Sequence, residues 1–471
     1  MLGLLASDGL IVTDDPAQAD VIVINTCGFL EASKVEAIAE IRRAIELKRR
    51  GKCRRVVVAG CLVQRHKTRL LNEAPGIDRL VGVFDREHIV AAVRGRDNPR
   101  QAHGHFLGKY HPLSGQSAAP SPAFEDDRAR LRLTPRHYAY LRISEGCNQG
   151  CTFCTIPSIR GPMRSKPLEQ ILAEARELGA DGAVELILIG QDTTSYGTDI
   201  GYAPGLSGLL AALDRELTDV HWLRLMYAYP SCFTDEMIRT LADCPRVVKY
   251  IDIPLQHISD RMLGLMRRRV TRAQIETLLD KLRRWVPGIA IRTTLIAGAP
   301  TETDREHQEL VRFVRDFGFD MMGVFEFSQE SGTPMGRMAG QLDHKLKQQR
   351  VEELMLTQQQ VAFAKAKQRI GQKLEVLIDR VAPDGQGMIG RTAAQAPEID
   401  SATRVAGQTA YPGQLIDVKV VGTEGYDLVA EALGRPSPPS AISVALEVRG
   451  VKRRDGRPAD ISPTDSRACA S

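Results

Sequence analysis

The first hundred residues alternate short apolar runs with one amphipathic segment. Residues 21–25 (VIVIN) and 56–60 (VVVAG) are rich in β-branched side chains, which is typical of buried parallel strands. Between them, residues 32–50 have apolar positions at helical spacing, and Gly51 ends the segment. This order of strand, helix and strand predicts an N-terminal domain with an open parallel sheet over residues 1–95.

The central part of the chain repeats this alternation over a longer stretch. Amphipathic helical patterns, for example at residues 168–178 and 272–285, separate a series of apolar runs. The repeats predict a partial (β/α)6 barrel over residues 136–368, with its chemistry at the carboxyl ends of the strands. The predicted strands are residues 139–143, 184–189, 222–227, 249–253, 289–296 and 322–327.

The remaining segments have a different character. Residues 371–434 hold short alternating strands between Gly and Pro turns, which predicts a small antiparallel β-barrel of the oligomer-binding type. Residues 96–135 predict a linker, and residues 435–471 predict a disordered tail. The predicted fold class is therefore α/β, with an N-terminal open parallel sheet, a central partial barrel and a C-terminal antiparallel barrel.

Composition narrows the functional classes. The 471-residue chain is 43% hydrophobic and 26% charged, as expected for a globular protein of several domains. It has neither a signal peptide nor an apolar run long enough to span a bilayer, which predicts a cytoplasmic protein without membrane contact. Nine cysteines in such a chain indicate metal ligands or free thiols and not disulfides. A net charge of +5 is too small to indicate nucleic-acid binding by itself.

The most informative stretch is EGCNQGCTFC. Cys147, Cys151 and Cys154 have the spacing C-x3-C-x2-C directly after the first strand of the predicted barrel. A closed structural zinc site takes four ligands, whereas three thiolates suit an iron–sulfur cubane with one iron left open. Gly146 and Gly150 allow a tight loop. A zinc knuckle or a loop of unconnected cysteines is the alternative interpretation.

This stretch, with an aromatic residue before its last cysteine, resembles the motif of the radical S-adenosylmethionine (SAM) enzymes. The resemblance implies that Cys147, Cys151 and Cys154 hold a catalytic [4Fe-4S] cluster whose open iron chelates SAM, and that reductive cleavage of SAM gives a radical that abstracts hydrogen from an unactivated carbon. Arg224 is a candidate partner for the SAM carboxylate, with a helix-facing surface arginine as the alternative. The other implied cofactor contacts are Phe153 at the cluster, Gly190 and Gln191 at the SAM amino group, and Gly298 near the adenosine.

Two further cysteines follow the strands of the N-terminal domain. Cys27, in NTCGF, and Cys61, in AGCLVQR, both lie at the carboxyl edge of the predicted sheet, where ligands gather in open α/β folds. These motifs resemble the N-terminal domain of the methylthiotransferases, a branch of the radical-SAM enzymes that binds a second [4Fe-4S] cluster there with three cysteines. The first of the three has no counterpart here. A misassigned start or a deficient second cluster would each explain this, and we favour the first. Cys53 precedes the second strand, at the opposite end, and is not expected to substitute.

The family contains enzymes for two kinds of substrate. One branch modifies an adenosine in tRNA, and another modifies the β-carbon of an aspartate in small-subunit ribosomal protein twelve. Residues 371–433 hold five Lys and Arg side chains and nine Asp and Glu side chains, a net charge of −4. Because RNA binding requires cations that neutralise phosphates, this balance favours a basic protein as partner over nucleic acid. The stretches IPSIRGPM, GQDTTSYG and IDIPLQH also resemble the ribosomal-protein branch.

The resemblance therefore implies a methylthiotransferase that binds the ribosomal protein through its acidic C-terminal barrel and uses SAM as both radical source and methyl donor. A reducing protein such as a flavodoxin or ferredoxin is the expected electron donor. The alternatives are a tRNA adenosine methylthiotransferase and a non-catalytic iron–sulfur protein that binds RNA. Cleavage of SAM by the reduced protein separates the enzymes from the non-catalytic alternative.

Overall fold

The computed structural model describes residues 1–96, 104–108, 127, 130–407 and 410–434. The predicted tail, most of the predicted linker and Cys469 lie outside these residues. The N-terminal domain is a parallel three-stranded sheet in the order β1 (Val21–Thr26), β2 (Arg55–Gly60) and β3 (Arg79–Val81), as predicted. Phe106, from the predicted linker, adds a parallel bridge to Val81. The helices are α1 (Leu2–Ser7), α2 (Glu31–Arg50), α3 (Cys61–His66), α4 (Arg69–Glu73) and α5 (Ile89–Arg94).

The central domain contains the predicted six-stranded parallel sheet of a partial barrel. Its strands are β4 (Tyr138–Arg142), β7 (Glu185–Ile189), β8 (Trp222–Leu225), β9 (Val247–Asp252), β10 (Ala290–Ala297) and β11 (Met321–Glu326), arranged β11-β10-β9-β8-β7-β4. A two-stranded ribbon, β5 (Ser144–Glu145) and β6 (Arg164–Ser165), brackets the cysteine loop. The helices are α6 (Ile156–Arg160), α7 (Leu168–Ala180), α8 (Gly205–Glu216), α9 (Asp235–Asp243), α10 (Asp260–Leu265), α11 (Arg272–Trp285), α12 (Asp304–Phe317) and α13 (His344–Gln368).

Local sequence explains why these helices begin where they do. Thr271 and Thr303 form capping boxes at the starts of α11 and α12, so the first free N–H groups of both helices have side-chain partners. Leucine and isoleucine at helical spacing then pack α7, α8 and α11 against the sheet in one continuous core. Within the described ranges, no helix is long and apolar enough to cross a membrane.

The C-terminal domain is a closed barrel of five strands. They are β12 (Lys373–Val381), β13 (Met388–Thr392), β14 (Thr403–Ala406), β15 (Leu415–Glu424) and β16 (Asp427–Ala432), and they pair in the order β12-β13-β14-β16-β15. Alternating inward side chains, among them Val376, Ile378 and Val418, fill its interior. The small antiparallel barrel was predicted, with one exception: β14 and β16 pair in parallel.

The C-terminal barrel closes the amino end of the partial barrel. Glu185, the first residue of β7, is fully buried and accepts hydrogen bonds from Arg224 Nε at 2.6 Å and from Arg391 Nη1 at 2.7 Å. Because burying a charge is costly unless it is paired, these contacts define one relative position of the two domains. Two tyrosines of the central domain also donate to carboxylates of the C-terminal barrel, Tyr138 to Glu398 and Tyr250 to Asp400.

Candidate active site

A cavity of about 630 Å³ lies at the carboxyl ends of the central strands. Its volume is in the range of small-molecule sites, and most of its wall is apolar or aromatic. The side chains predicted from the cysteine motif and from the turn after β7 share this wall. They are Cys147, Cys151, Phe153, Cys154, Gly190 and Gln191.

The cysteine loop is fixed from both sides. Gly146 has φ of +82°, and a Cβ there would lie 2.1 Å from the carbonyl oxygen of Pro162. The Gly146 N–H donates to Oε1 of Gln191 at 2.5 Å, and the Cys147 N–H donates to the carbonyl of Gly161 at 3.2 Å. The backbone of the loop is therefore held in place by the protein itself.

The thiols in this loop have the chemistry of cluster ligands. Burial raises the pKa of Cys147 to about 12 and that of Cys154 to about 11, so a metal must displace their protons. The backbone N–H groups of Gln149 and Ile156 each donate to one of these sulfurs at 3.4 Å, as in iron–sulfur sites. In the described part of the chain, no three His, Cys, Asp or Glu side chains converge as they would on a single ion. The donor set fits a cubane, whose ligands bind different irons: three thiols line one cavity wall, and two of the sulfurs accept from backbone N–H groups.

A buried arginine lies beside the second cysteine. Arg268 is 4% exposed, and its Nη1 is 3.4 Å from the Cys151 sulfur. The guanidinium lies over the Tyr229 ring at 4.1 Å and donates through Nη2 to the Pro254 carbonyl. Among the described residues, its Nε has no hydrogen-bond partner. A cation with an unused donor therefore lies in the wall of the cavity.

The two turns predicted to contact SAM are both held tightly. A Cβ on Gly190 would lie 2.4 Å from Ser144 Oγ, so any other residue here would require the Ser144 hydroxyl to move. Gly298 is not in the wall of the cavity, but its turn is fixed by a buried carboxylate. Oε2 of Glu302 accepts from the Gly298 N–H at 2.6 Å and from the Ala299 N–H at 3.0 Å.

The Glu302 carboxylate is surrounded by cationic and histidine side chains. Its Oε1 lies 3.4 Å from Arg350 Nη1, 3.6 Å from His307 Nδ1 and 3.9 Å from His257 Nε2. Burial alone would raise the pKa of Glu302, but the two histidines and Arg350 lower it to about 2. Glu302 is therefore ionised in the folded protein and holds the Gly298 turn as a carboxylate.

The prediction that Arg224 contacts SAM is wrong. Arg224 is fully buried and bonded to Glu185 at the amino end of the barrel, away from the cavity. Its Nη1 donates to the Ala393 carbonyl at 2.9 Å, and its guanidinium lies over the Tyr250 ring at 4.6 Å. The surface alternative fails as well, because the side chain points into the partial barrel below the active site.

A second cavity, of about 340 Å³, lies at the carboxyl edge of the N-terminal sheet. Cys27 and Cys61 line it together, in agreement with their positions after β1 and β2. Burial raises the pKa of Cys61, whose sulfur accepts a hydrogen bond from Arg160 Nη2 at 3.2 Å. Cys53 is instead buried in the N-terminal core, 3.2 Å from the Arg55 carbonyl, as expected for a residue outside the site.

Arg160 belongs to the walls of both cavities. It ends α6, the short helix that follows the cysteine loop. Its Nη1 donates to Glu145 Oε1 at 2.7 Å, and the other oxygen of Glu145 accepts from Arg142 at 2.8 Å. Arg160 thus connects Cys61 to Glu145, the residue that precedes the cysteine loop.

The N-terminal domain contributes directly to the main cavity. Phe29 and Leu30 line it, immediately before α2. Glu330, from the segment after β11, accepts from the Glu31 N–H at 2.9 Å and pairs with Arg65 at 2.8 Å. These contacts hold the two cysteine sites in one fixed arrangement.

Arg268 and Glu302 were not among the predicted site residues. The run RRR at residues 267–269 has the appearance of a solvated charged segment, and Glu302 that of a turn residue. The apolar residues on both sides of the run, LGLM before it and Val270 after it, are the signal that it passes close to the core.

Comparisons with known proteins agree with this geometry. Family models match residues 1–82 (uncharacterized protein family UPF0004), 141–314 (Radical SAM superfamily) and 370–433 (TRAM domain). The solved structure of the radical S-adenosylmethionine methyltransferase TsrM from Kitasatospora setae shares the fold, with a TM-score of 0.52 and 19% identity over 71% of this chain and 69% of that one. Fold and cysteine cavity together define a radical-SAM enzyme.

Curated relatives identify the branch of these enzymes. The chain is 40% identical to "Ribosomal protein uS12 methylthiotransferase RimO" of Anaeromyxobacter sp. (strain K), over 97% of this chain and 94% of that protein. It is 39% identical to the protein of the same name from Geobacter sulfurreducens, over 92% of this chain and 94% of that one. The chain belongs to the RimO family of methylthiotransferases, which confirms the resemblance found in its motifs.

Proposed function

We propose that this protein transfers a methylthio group to the β-carbon of an aspartate in ribosomal protein uS12. The observation that supports this most directly is the pair of cysteine sites in neighbouring cavities that share Arg160. An enzyme that makes a radical at one site and delivers sulfur from another needs this arrangement. The relatives carry uS12 in their names, whereas the tRNA alternative has no such support.

Two [4Fe-4S] clusters and SAM are the proposed cofactors. Cys147, Cys151 and Cys154 are the ligands for the catalytic cluster, and Cys27 and Cys61 provide two ligands for the second. When bound, the first cluster supplies the electron that cleaves SAM, and the second supplies the sulfur. No third cysteine is among the described residues that line the second cavity, so iron content is the direct measure of whether that cluster assembles.

The surrounding residues orient SAM and exclude water. Phe153 and Gly190 form the cavity wall beside the cysteine loop. Gly298, which lies outside that wall, is still the proposed neighbour of the adenosine, and Glu302 fixes its turn. Gln191 uses its side-chain oxygen on Gly146, so its contribution to SAM binding comes through the loop that it fixes. Arg268 replaces Arg224 as the proposed partner of the SAM carboxylate. It lines the cavity, its Nε has no hydrogen-bond partner among the described residues, and a guanidinium pairs well with a carboxylate.

The C-terminal barrel is the proposed contact for the basic ribosomal protein. Five of its nine carboxylates are bonded inside the chain, to partners such as His137 and Arg404. The remaining four are exposed and have no ion-pair partner among the described residues, so they can meet a basic partner: Glu375, Asp417, Glu424 and Glu431. A flavodoxin or ferredoxin is the proposed reductant. A ribosomal substrate and this type of reductant place the reaction in the cytoplasm.

A reconstituted reaction tests the proposal. The chain is loaded anaerobically with iron and sulfide and incubated with SAM, dithionite and purified uS12. Mass spectrometry is expected to find one methylthio group on one aspartate, and none with the Cys147→Ala/Cys151→Ala/Cys154→Ala variant. Modification of tRNA in place of uS12 would overturn the substrate. A reduced, iron-loaded protein that leaves SAM intact would instead support a non-catalytic protein.

A further inference from the structure

The arginine run at residues 267–269 forms a strained turn behind the cysteine loop. Arg267 and Arg269 have φ of +54° and +52°, a left-handed conformation that residues other than glycine rarely adopt. Strain of this kind persists where surrounding contacts impose it, and it is concentrated at functional sites. The turn directs Arg268 inward to Cys151 and leaves Arg267 and Arg269 exposed on the outer surface.

The backbone of this turn is bonded to the cysteine loop. The Thr152 N–H donates to the Met266 carbonyl at 3.2 Å, and Thr152 Oγ1 donates to the Leu265 carbonyl at 2.6 Å. The Tyr229 hydroxyl donates to the Arg268 carbonyl at 3.1 Å. The bond between Met266 and Thr152 thus connects the residue before exposed Arg267 to the residue after Cys151. The turn is a short bonded route from the surface to a cluster ligand.

The outer surface of the turn carries uncompensated positive charge. Among the described residues, neither Arg267 nor Arg269 has a carboxylate within ion-pair distance, so both guanidiniums are available to a partner. Arg269 borders a groove of about 370 Å³ that also contains Phe233 and other apolar residues. The carboxylate in this groove, Asp235, is already paired with Lys281 at 2.7 Å. We call Arg267, Arg269 and this groove the arginine face.

We propose that the arginine face is the docking site of the protein that reduces the catalytic cluster, a small acidic flavoprotein. This inference rests on the proposed function and adds the place where the electron enters. In each transfer, one electron passes from the reduced partner to the oxidised cluster, so the partner is oxidised by one electron. No bond forms or breaks, and no proton is transferred. Acidic groups around the partner's redox centre complement the two exposed guanidiniums, which sets the orientation and the rate of encounter.

Binding gives the first test. Oxidised flavodoxin is titrated into the iron-loaded enzyme at low and at physiological salt, with Arg267→Gln/Arg269→Gln compared with wild type. The variant is expected to bind about tenfold more weakly and with a smaller dependence on salt. The matched control is Arg305→Gln/Arg312→Gln, which removes the same charge from exposed positions of α12 and is expected to bind as wild type. Equal affinity in the arginine-face variant and wild type would overturn the proposal.

SAM cleavage with two reductants gives the second test. The arginine-face variant is expected to lose most flavodoxin-driven cleavage and to keep dithionite-driven cleavage, because dithionite needs no docking surface. The Arg267→Lys/Arg269→Lys variant, which keeps the charge, is expected to recover flavodoxin-driven cleavage. If the lysine variant is as defective as the glutamine variant with both reductants, the arginines are structural and the docking site is refuted. A wild type that fails to cleave SAM with dithionite would instead refute the proposed function.

Discussion

Replacing Glu302 by glutamine measures what a buried charge contributes to the turn at Gly298. The pKa of Glu302 is about 2, against 4.5 for an ordinary glutamate, a difference worth about 3 kcal/mol of unfolding free energy at neutral pH. The glutamine oxygen can still accept from the two backbone N–H groups. Its amide nitrogen, however, replaces a negative charge that lies 3.4 Å from the Arg350 guanidinium. The loss is therefore mainly the loss of the charge.

The sign of the pH dependence follows from the direction of the shift. Because the pKa is lower in the folded than in the unfolded protein, the contribution of Glu302 is present above about pH 4.5 and is lost as the pH falls towards 2. The difference in stability between wild type and Glu302→Gln is therefore expected to be largest near pH 7 and to shrink as the pH is lowered from 5 to 3.

Urea unfolding followed by tryptophan fluorescence provides the assay. Both tryptophans of the chain, Trp222 and Trp285, are in the central domain, so the signal reports the domain that contains Glu302. The control is Glu309→Gln on α12, the helix that follows Glu302, which breaks a partly exposed ion pair and is expected to cost less than about 1 kcal/mol. Equal losses in the two variants, or a loss that does not change with pH, would refute the reasoning.

The geometry gives three more expected outcomes. Gly146→Ala is expected to prevent iron binding in the main cavity, because its Cβ would lie 2.1 Å from a carbonyl oxygen. Iron analysis checks this. The control is Gly150→Ala, because a Cβ at that position would have no atom within 4 Å. Arg160→Met is expected to lower the reduction potential of the second cluster by removing a donor 3.2 Å from a ligand sulfur; a redox titration followed by EPR that finds no change would contradict this. Arg391→Met is expected to cost about 3–5 kcal/mol, because buried Glu185 loses one of its two cationic partners; faster proteolysis of residues 371–434 is the measurement, and wild-type resistance is the contrary result.

Strand positions could be predicted from the sequence because most of the central strands, such as β7 and β8, are short apolar runs that are buried along their length. Residues 184–189 were predicted where the strand is Glu185–Ile189, and residues 289–296 where it is Ala290–Ala297. The cysteine spacing was equally informative, since three thiols within eight residues must share one loop. Both signals depend on nearest neighbours in the chain, and that is the information that a sequence carries directly.

The errors concern side chains whose partners are distant in sequence. Charge and position make Arg224 a candidate for SAM, but its partner Glu185 is 39 positions away in sequence, on the neighbouring strand and at the end of the sheet opposite the cavity. Arg268 was overlooked because its burial depends on the cysteine loop, 117 positions away. The acidic C-terminal barrel was treated as one surface, although Asp379 and Asp400 are used in contacts with the central domain. Charge counts cannot separate internal from external carboxylates.

The C-terminal barrel closes the partial barrel at its amino end, so the active-site cavity has no exit on that side. With Glu185, Arg224 and Arg391 filling the amino end, a polypeptide cannot be threaded through the barrel. A protein substrate therefore has to enter the cavity from the carboxyl side of the strands and to withdraw along the same path. The modified product blocks entry of the next substrate until it leaves, so its residence time on the enzyme sets an upper limit on turnover.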